Sequence, residues 1–176
     1  MIFPTANEAM TKWWLKITTI CFFISLVPMN VLESYCNFVK GVCAASGCCI
    51  FIGYYVFAYI YNCINEPNLT KQFYTDNFAT VLSYSNYLLL DSSIHIILPI
   101  TTYYFWHDHI TIASSIVAFL FHRCWSVVNS NFTSIYLDGS HIYNVKCLPV
   151  WGWQLVYIGE FLVLVLSTVL ALGLKE

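Results

Sequence analysis

The sequence predicts an all-α fold, a polytopic transmembrane helix bundle of about five helices in a single domain, 1–176. Of the 176 residues, 59% are hydrophobic and only 9% are charged, whereas a soluble domain carries about 25% charged residues. So few charges cannot cover a water-facing surface, which indicates that lipid is the main solvent of the chain. The formal net charge of −2 gives no basic footprint for nucleic acid.

Five apolar segments are each long enough to cross a bilayer, which takes about 20 residues of helix. The predicted spans are 14–35, 42–61, 78–106, 110–128 and 149–174. Lys12 and Lys16 precede the first span, as they would precede a signal peptide. No cleavage pattern of small residues follows directly, so we expect a retained helix.

Polar and helix-ending residues separate the segments. Glu66-Pro67-Asn68 and Asp138-Gly139 are turn signals, and His107-Asp108-His109 is predicted to form a polar hinge. Pro28 and Pro99 fall inside predicted spans and are expected to kink them, as membrane helices tolerate.

The second span carries small side chains that predict close packing against other helices. They are Ala44, Ala45, Ser46, Gly47 and Gly53. We find no internal repeat in the sequence, which disfavours the transporters that are built from repeated halves.

Two signals conflict on orientation in the membrane. Asn68 and Asn131 each begin an N-glycosylation sequon, and five spans place both on one side, which favours a lumenal face and a glycoprotein. Most lysines lie on that same side, and the positive-inside rule then favours a cytosolic N-terminus. Both orientations stay open, with a slight preference for the second.

The eight cysteines show no C-x-x-C spacing, so redox and zinc-ribbon motifs are missing from the sequence. Cys21, Cys48 and Cys49 lie within spans and are expected to pack as small hydrophobic side chains. Cys63 and Cys147 fall in the two loops that share a side. A disulfide between them is one expectation if that side is lumenal, and free thiols are the other.

Polar side chains form a stripe on each of three predicted helices, because they recur at spacings of three or four residues. The stripes are Tyr84, Tyr87, Asp91 and His95; Thr111, Ser115 and His122; and Trp153, Tyr157, Glu160 and Ser167. Charged groups within a bilayer are costly and are usually functional or paired. We therefore expect the stripes to face one another around a polar interior.

The candidate ligand-pocket residues are Asp91, His95, His107, His109, His122 and Glu160. A carboxylate beside an imidazole suits general-base work, but the sequence offers no catalytic nucleophile. The alternative is structural, in which Asp91–His95 is a hydrogen-bonded pair and Glu160 pairs with His122 or Arg123. The H-x-H pair either binds a metal or forms a solvated turn, and we expect no metal or cofactor.

The stretch 84–121 resembles the core of the TLC-domain family, which includes ceramide synthases and TRAM-type proteins. The resemblance rests on Tyr87, Asp91 and the run Trp106-His107-Asp108-His109-Ile110, with a further echo at Asp138-Gly139-Ser140-His141. It implies a protein of the endoplasmic reticulum that handles acyl lipids, with His107, His109 and Asp91 lining the lipid pocket. Asp108 stands where the family has the first histidine of a pair, which favours a non-enzymatic member.

Three functions follow from these patterns. The first is a lipid-handling or lipid-sensing membrane protein, whose partners are membrane lipids. The second is a structural or accessory subunit that binds other membrane subunits. The third is a small transporter or proton pathway that uses Asp91, His95 and Glu160. The sequence leans against an enzyme without deciding the matter.

Overall fold

The computed structural model describes residues 10–26, 32–64, 71, 74–75, 78–128 and 150–174. These residues form five helices and no strand, which confirms the all-α prediction. The third helix is continuous but has two halves, α3 and α4, joined by the π-helical turn Ser93–Ile97. The helices are α1 (Met10–Ser25), α2 (Glu33–Ile64), α3 (Tyr84–Ser92), α4 (Leu98–Trp106), α5 (Ile112–Val128) and α6 (Val150–Gly173).

The predicted boundary between the first two helices is wrong. The first span was expected to continue to Tyr35, but α1 ends at Ser25, whose hydroxyl donates to the Cys21 carbonyl at 2.7 Å. Helix α2 begins at Glu33, where an acidic side chain complements the positive end of the helix dipole. It also continues to Ile64, so the backbone of Cys63 is helical and not part of a loop. Pro28 lies outside the described residues.

Side-chain caps define the starts of two later helices. The Ser83 hydroxyl accepts from the Asn86 amide at 3.3 Å and begins α3. Thr111 and Ser114 each accept the other's backbone N–H, at 3.1 and 2.8 Å, and begin α5, as in a capping box. The predicted hinge is confirmed as the 3₁₀ turn His107–His109 between α4 and α5.

Helix α2 is the centre of the bundle, since α1, α4, α5 and α6 all pack against it. Its small residues make this possible. Ala44 joins a core with Ile110 and Ala171, and Ala45 joins a second core with Ala118 and others.

The predicted small-residue face is therefore confirmed from Ala44 to Gly47, all of which are buried. Gly53 is an exception, because no atom lies within 4 Å of the position that a Cβ would take. Gly41, which the sequence analysis passed over, is in close contact instead. A Cβ there would overlap the His109 carbonyl and lie 2.9 Å from the Ser114 hydroxyl.

Among the described residues, two stretches are long and apolar enough to cross a membrane, Glu33–Gly53 and Tyr84–His109. The apolar stretches of the other three helices are shorter. Within the described residues, the expectation of five spans is therefore met by two stretches.

The distribution of polarity is inverted relative to a water-soluble bundle. Large apolar side chains point outward on every helix, including Phe23, Leu89, Leu120 and Leu166. Hydroxyl groups and one imidazole lie inside beside the apolar core, among them Thr11, Ser46, Thr102, Ser114, Ser115, His122, Ser167 and Thr168. A soluble monomer rarely exposes such a continuous apolar surface.

Candidate active site

Asp91, His95 and Thr11 form a chain of contacts between α1 and the third helix. His95 Nδ1 lies 3.1 Å from Asp91 Oδ1 and 3.0 Å from the Asp91 carbonyl oxygen. On the opposite edge of the ring, His95 Nε2 lies 3.2 Å from Thr11 Oγ1. The threonine comes from a helix 84 residues away in the sequence, so the tertiary fold creates this arrangement.

The partners of His95 determine which ring nitrogen carries the proton. Both oxygens of Asp91 near Nδ1 are acceptors, so Nδ1 must donate and carry the hydrogen. In the neutral tautomer that follows from these contacts, Nε2 is a lone pair that can accept from the Thr11 hydroxyl. A hydroxyl, an imidazole and a carboxylate in this order are the geometry of a nucleophilic triad, in which the imidazole is the base and the carboxylate orients it.

The π-helical turn holds His95. Pro99 has no N–H and its ring would crowd the His95 carbonyl four residues earlier in a regular α-helix. The chain widens instead, and the Leu98 N–H bonds the Ser93 carbonyl five residues back. The predicted kink at Pro99 therefore takes the form of a π turn, a feature often found at functional sites.

Trp14 sets the position of α1 beside the third helix. Its ring is 1% exposed, and its Nε1 donates to the Cys43 carbonyl of α2 at 2.8 Å. A Cβ at Gly47 would lie 3.3 Å from the Trp14 ring and 3.6 Å from Pro99, so both residues pack against the same small residue of α2. Thr11 is about one turn before Trp14, and His95 about one turn before Pro99. Helix α2 therefore holds the helices of Thr11 and His95 beside each other.

Aromatic rings cover the approach to Asp91 from the start of α3. Tyr87 precedes Asp91 by one turn and is buried. Its ring lies 5.4 Å from both Tyr74 and Phe78, and Tyr84 stacks on it at 6.3 Å. These rings form an apolar cluster one turn before Asp91.

A second polar cluster lies between α5 and α6. His122 Nδ1 contacts one carboxylate oxygen of Glu160, and Arg123 forms an ion pair with the other. The guanidinium lies 3.8 Å from the centre of the Tyr157 ring and 5.2 Å from that of Phe119, which are cation–π distances. The prediction that Glu160 pairs with His122 or Arg123 is confirmed, and it pairs with both.

The polar stripes of α5 and α6 also contact each other nearer the start of α5 and the end of α6. Ser115 and Thr168 share a hydrogen bond of 2.6 Å, and the Tyr103 hydroxyl of α4 donates to the Ser167 carbonyl at 3.3 Å. Thr111, predicted as part of this stripe, caps α5 instead. The expectation that polar stripes face one another therefore holds along the contact between α5 and α6.

Both polar clusters lie toward one end of the bundle. Thr11 is in the first turn of α1, His95 follows α3, and His122 is near the end of α5. The Cys49 thiol of the central helix α2 donates to the Glu160 carbonyl at 3.7 Å. The Thr11 site lies against α1 and the third helix, and the Glu160 cluster lies between α5 and α6.

His107 and His109 do not join either cluster. They lie in the turn after α4, 12 or more residues past His95, which is about 18 Å along a helix. His107 there contacts the exposed Asp108 at 3.3 Å and the Tyr104 carbonyl at 2.9 Å. The six predicted pocket residues therefore do not lie together: Asp91 with His95 and His122 with Glu160 form two separate clusters, and the length of the third helix places His107 and His109 away from both.

Several predicted features fall outside what is described. Asn68, Asn131 and Cys147 lie outside the described residues, so glycosylation and a Cys63–Cys147 disulfide stay predictions. Across the described part of the chain, no three His, Cys, Asp or Glu side chains are grouped to hold a metal ion.

The sequence analysis missed Thr11. It lies just before the predicted start of the first span, and threonine is common near helix starts. Only the packing of α1 against the third helix gives it a partner.

No protein-family model, curated protein or solved structure matched this chain. The resemblance to the TLC-domain family therefore stays a prediction. The arguments about function rest on the geometry of the two clusters.

Proposed function

We propose that this chain is a multi-pass integral membrane protein that handles acyl lipids. The inverted polarity supports this, because apolar side chains cover the outside of every described helix and polar groups lie within. Buried polar contacts between helices are common in membrane bundles. The two helices that are long and apolar enough to span add to this support.

The reaction that we propose is cleavage of an acyl ester, with Thr11 as nucleophile, His95 as general base and Asp91 as the group that orients His95. One observation carries it: the two edges of the His95 ring contact Thr11 Oγ1 at 3.2 Å and Asp91 Oδ1 at 3.1 Å. Both distances are within reach of proton transfer.

The proposed reaction has two steps. Thr11 Oγ attacks the ester carbonyl while His95 Nε2 takes the hydroxyl proton. His95 then returns this proton to the leaving alcohol, which leaves an acyl group on Thr11. Water, deprotonated by His95 Nε2, then attacks the acyl carbonyl, and the bond to Thr11 Oγ breaks as His95 returns the proton to Oγ, which releases the fatty acid and restores the threonine.

The substrate class follows from the surroundings. Thr11, Asp91 and His95 are mostly buried within a bundle whose outer surface is apolar. An ester that reaches them from the bilayer must itself be apolar. Residence in the endoplasmic reticulum, which the TLC resemblance implies, fits such a substrate and is part of the proposal.

The test uses the full chain in lipid nanodiscs, with a fluorophosphonate probe that labels activated hydroxyl nucleophiles and 4-methylumbelliferyl oleate as ester substrate. We expect labelling and hydrolysis by the wild type and by Thr11→Ser. Thr11→Ala and His95→Gln should lose both by 100-fold or more, as expected when a base or nucleophile is removed. Thr19→Ala is the matched control, because Thr19 is exposed on the same helix.

The decisive result is the site of labelling. A probe adduct mapped to Thr11 by peptide mass spectrometry supports the proposal. Full labelling of a folded Thr11→Ala variant, or a wild type that neither reacts with the probe nor cleaves the ester, sinks it.

A second candidate is an accessory subunit without catalytic activity. The Glu160 cluster and the Ser115–Thr168 bond favour it, because such contacts fix helix packing. A subunit of this kind should co-purify with fixed partners in mild detergent. Recovery as a lone monomer would argue against it.

A further inference from the structure

His122 has one ring nitrogen in use and one without a partner. Its Nδ1 contacts the Glu160 carboxylate, but within the described residues nothing bonds to Nε2, although that atom is buried. The whole side chain is only 5% exposed. A buried polar atom without a hydrogen bond is uncommon and costs about 1–3 kcal/mol.

The neighbours of Glu160 determine what Nε2 can bind. Because Arg123 pairs with Glu160, that carboxyl group is ionised and can only accept. His122 Nδ1 must therefore carry the hydrogen, and Nε2 is a lone pair that needs a donor. The lone pair on Nε2 would repel an anion. A cation is not needed there, because Arg123 already balances the negative charge of Glu160.

The environment of His122 is otherwise apolar. The Phe121 ring lies 5.9 Å from the imidazole, and the Trp13 ring lies 6.0 Å from Phe121. Phe119 and Phe161 stack edge to face at 5.9 Å on the same helix pair. A ligand in this position needs an apolar body and a single hydrogen-bond donor.

We propose that His122 Nε2, on the edge of the ring opposite Glu160, binds the hydroxyl group of a lipid alcohol beside α5. Long-chain alcohols and sterols share this chemistry, a hydroxyl on an apolar body. The inference is independent of the ester cleavage proposed for Thr11, because it uses another helix pair. A Thr11→Ala variant should bind the alcohol as the wild type does, so either proposal can fail alone.

The test is photoaffinity capture by the full chain in nanodiscs. The probe is hexadecanol that carries a diazirine and an alkyne, and its matched control is the methyl ether of the same molecule, which cannot donate. We expect the wild type to capture the alcohol at least about fivefold better, the value of one hydrogen bond of roughly 1 kcal/mol. Adducts should map to peptides of α5 or α6.

Two variants test the role of the ring nitrogen. His122→Phe keeps an aromatic ring without Nε2 and should lose the preference for the alcohol. Glu160→Gln can present an amide N–H to Nδ1, which moves the ring hydrogen to Nε2, so the preference should shift toward the ether. Retention of the alcohol preference in folded His122→Phe would overturn the proposal.

A competition experiment with the wild-type protein tests the proposal even if these variants do not fold. Unlabelled hexadecanol, but not hexadecyl methyl ether, should displace the probe from wild-type protein. A parallel experiment with a photoreactive sterol and its methyl ether distinguishes the two lipid sources. Equal capture of alcohol and ether in both series means that water alone satisfies Nε2, and the proposal then fails.

Discussion

The two oxygen atoms of Asp91 that lie near Nδ1 favour the His95 tautomer with the hydrogen on Nδ1. Nε2 can act as a base toward Thr11 only in that tautomer. The Asp91 carboxylate and backbone carbonyl both accept from Nδ1, at 3.1 and 3.0 Å. The sequence alone identified the Asp91–His95 pair, because residues four apart share a helix face. It could not identify Thr11, since no local pattern links residues 84 apart.

Replacement of Asp91 by Asn should lower ester hydrolysis by roughly 100-fold, at the low end of the usual range for general acid–base catalysis. The amide NH₂ of the new asparagine can donate to Nδ1 and so favour the tautomer with the hydrogen on Nε2. The backbone carbonyl of residue 91 still favours the hydrogen on Nδ1. Hydrolysis of 4-methylumbelliferyl oleate measures the rate, and the melting temperature checks the fold. An unchanged rate in Asp91→Asn would show that Asp91 does not orient the base.

Replacement of Glu160 by Ala should destabilise the bundle by roughly 1–3 kcal/mol, because it leaves the half-buried Arg123 without its counter-charge. The pairing was foreseeable, since an isolated carboxylate in an apolar helix needs a cation. Denaturation in mixed micelles measures the loss. Stability equal to the wild type would mean that water already screens this pair.

At the scale of helices, hydrophobic pattern predicted how many helices form but not where two of them end. The boundary between α1 and α2 was misplaced because the stretch 26–32 is largely apolar and therefore continues the hydrophobic pattern of the first helix. The π turn before Pro99 was not predicted either. A proline signals disruption of a helix, but the form of that disruption depends on the surrounding packing.

Gly41 and Gly53 make a matched pair within α2. Gly41→Ala should destabilise the fold by about 1–3 kcal/mol, the usual cost of overpacking, because its Cβ meets the His109 carbonyl. Gly53→Ala has open space and should stabilise the helix by up to about 1 kcal/mol. Melting temperatures followed by tryptophan fluorescence should move in opposite directions, and a fall in both would contradict this packing of α2.

At the scale of the whole molecule, composition predicted a chain surrounded by lipid, and the outward apolar side chains agree with that solvent. Composition could not predict that the histidines would separate into two ends of the bundle. That outcome depends on helix length: His95 and His107 lie on one continuous helical run, so they cannot share a pocket.

An arginine on the outer surface tests the solvent directly. Leu120→Arg, at an exposed position in the middle of α5, should cost about 2.5–3.5 kcal/mol if that surface faces lipid. If it faced water, the change would be nearly neutral. Ser85→Arg, exposed in the first turn of α3, is the control and should be tolerated. The yield of membrane-inserted protein and its melting temperature report the difference.

The distance along the chain between Thr11 and His95 also bears on biosynthesis. A ribosome releases the first helix well before the third, so the nascent chain carries the threonine without its base during the intervening synthesis. The reactivity toward esters that we propose could begin only when the third helix has docked beside the first. A chain terminated before residue 95 should therefore show none of it.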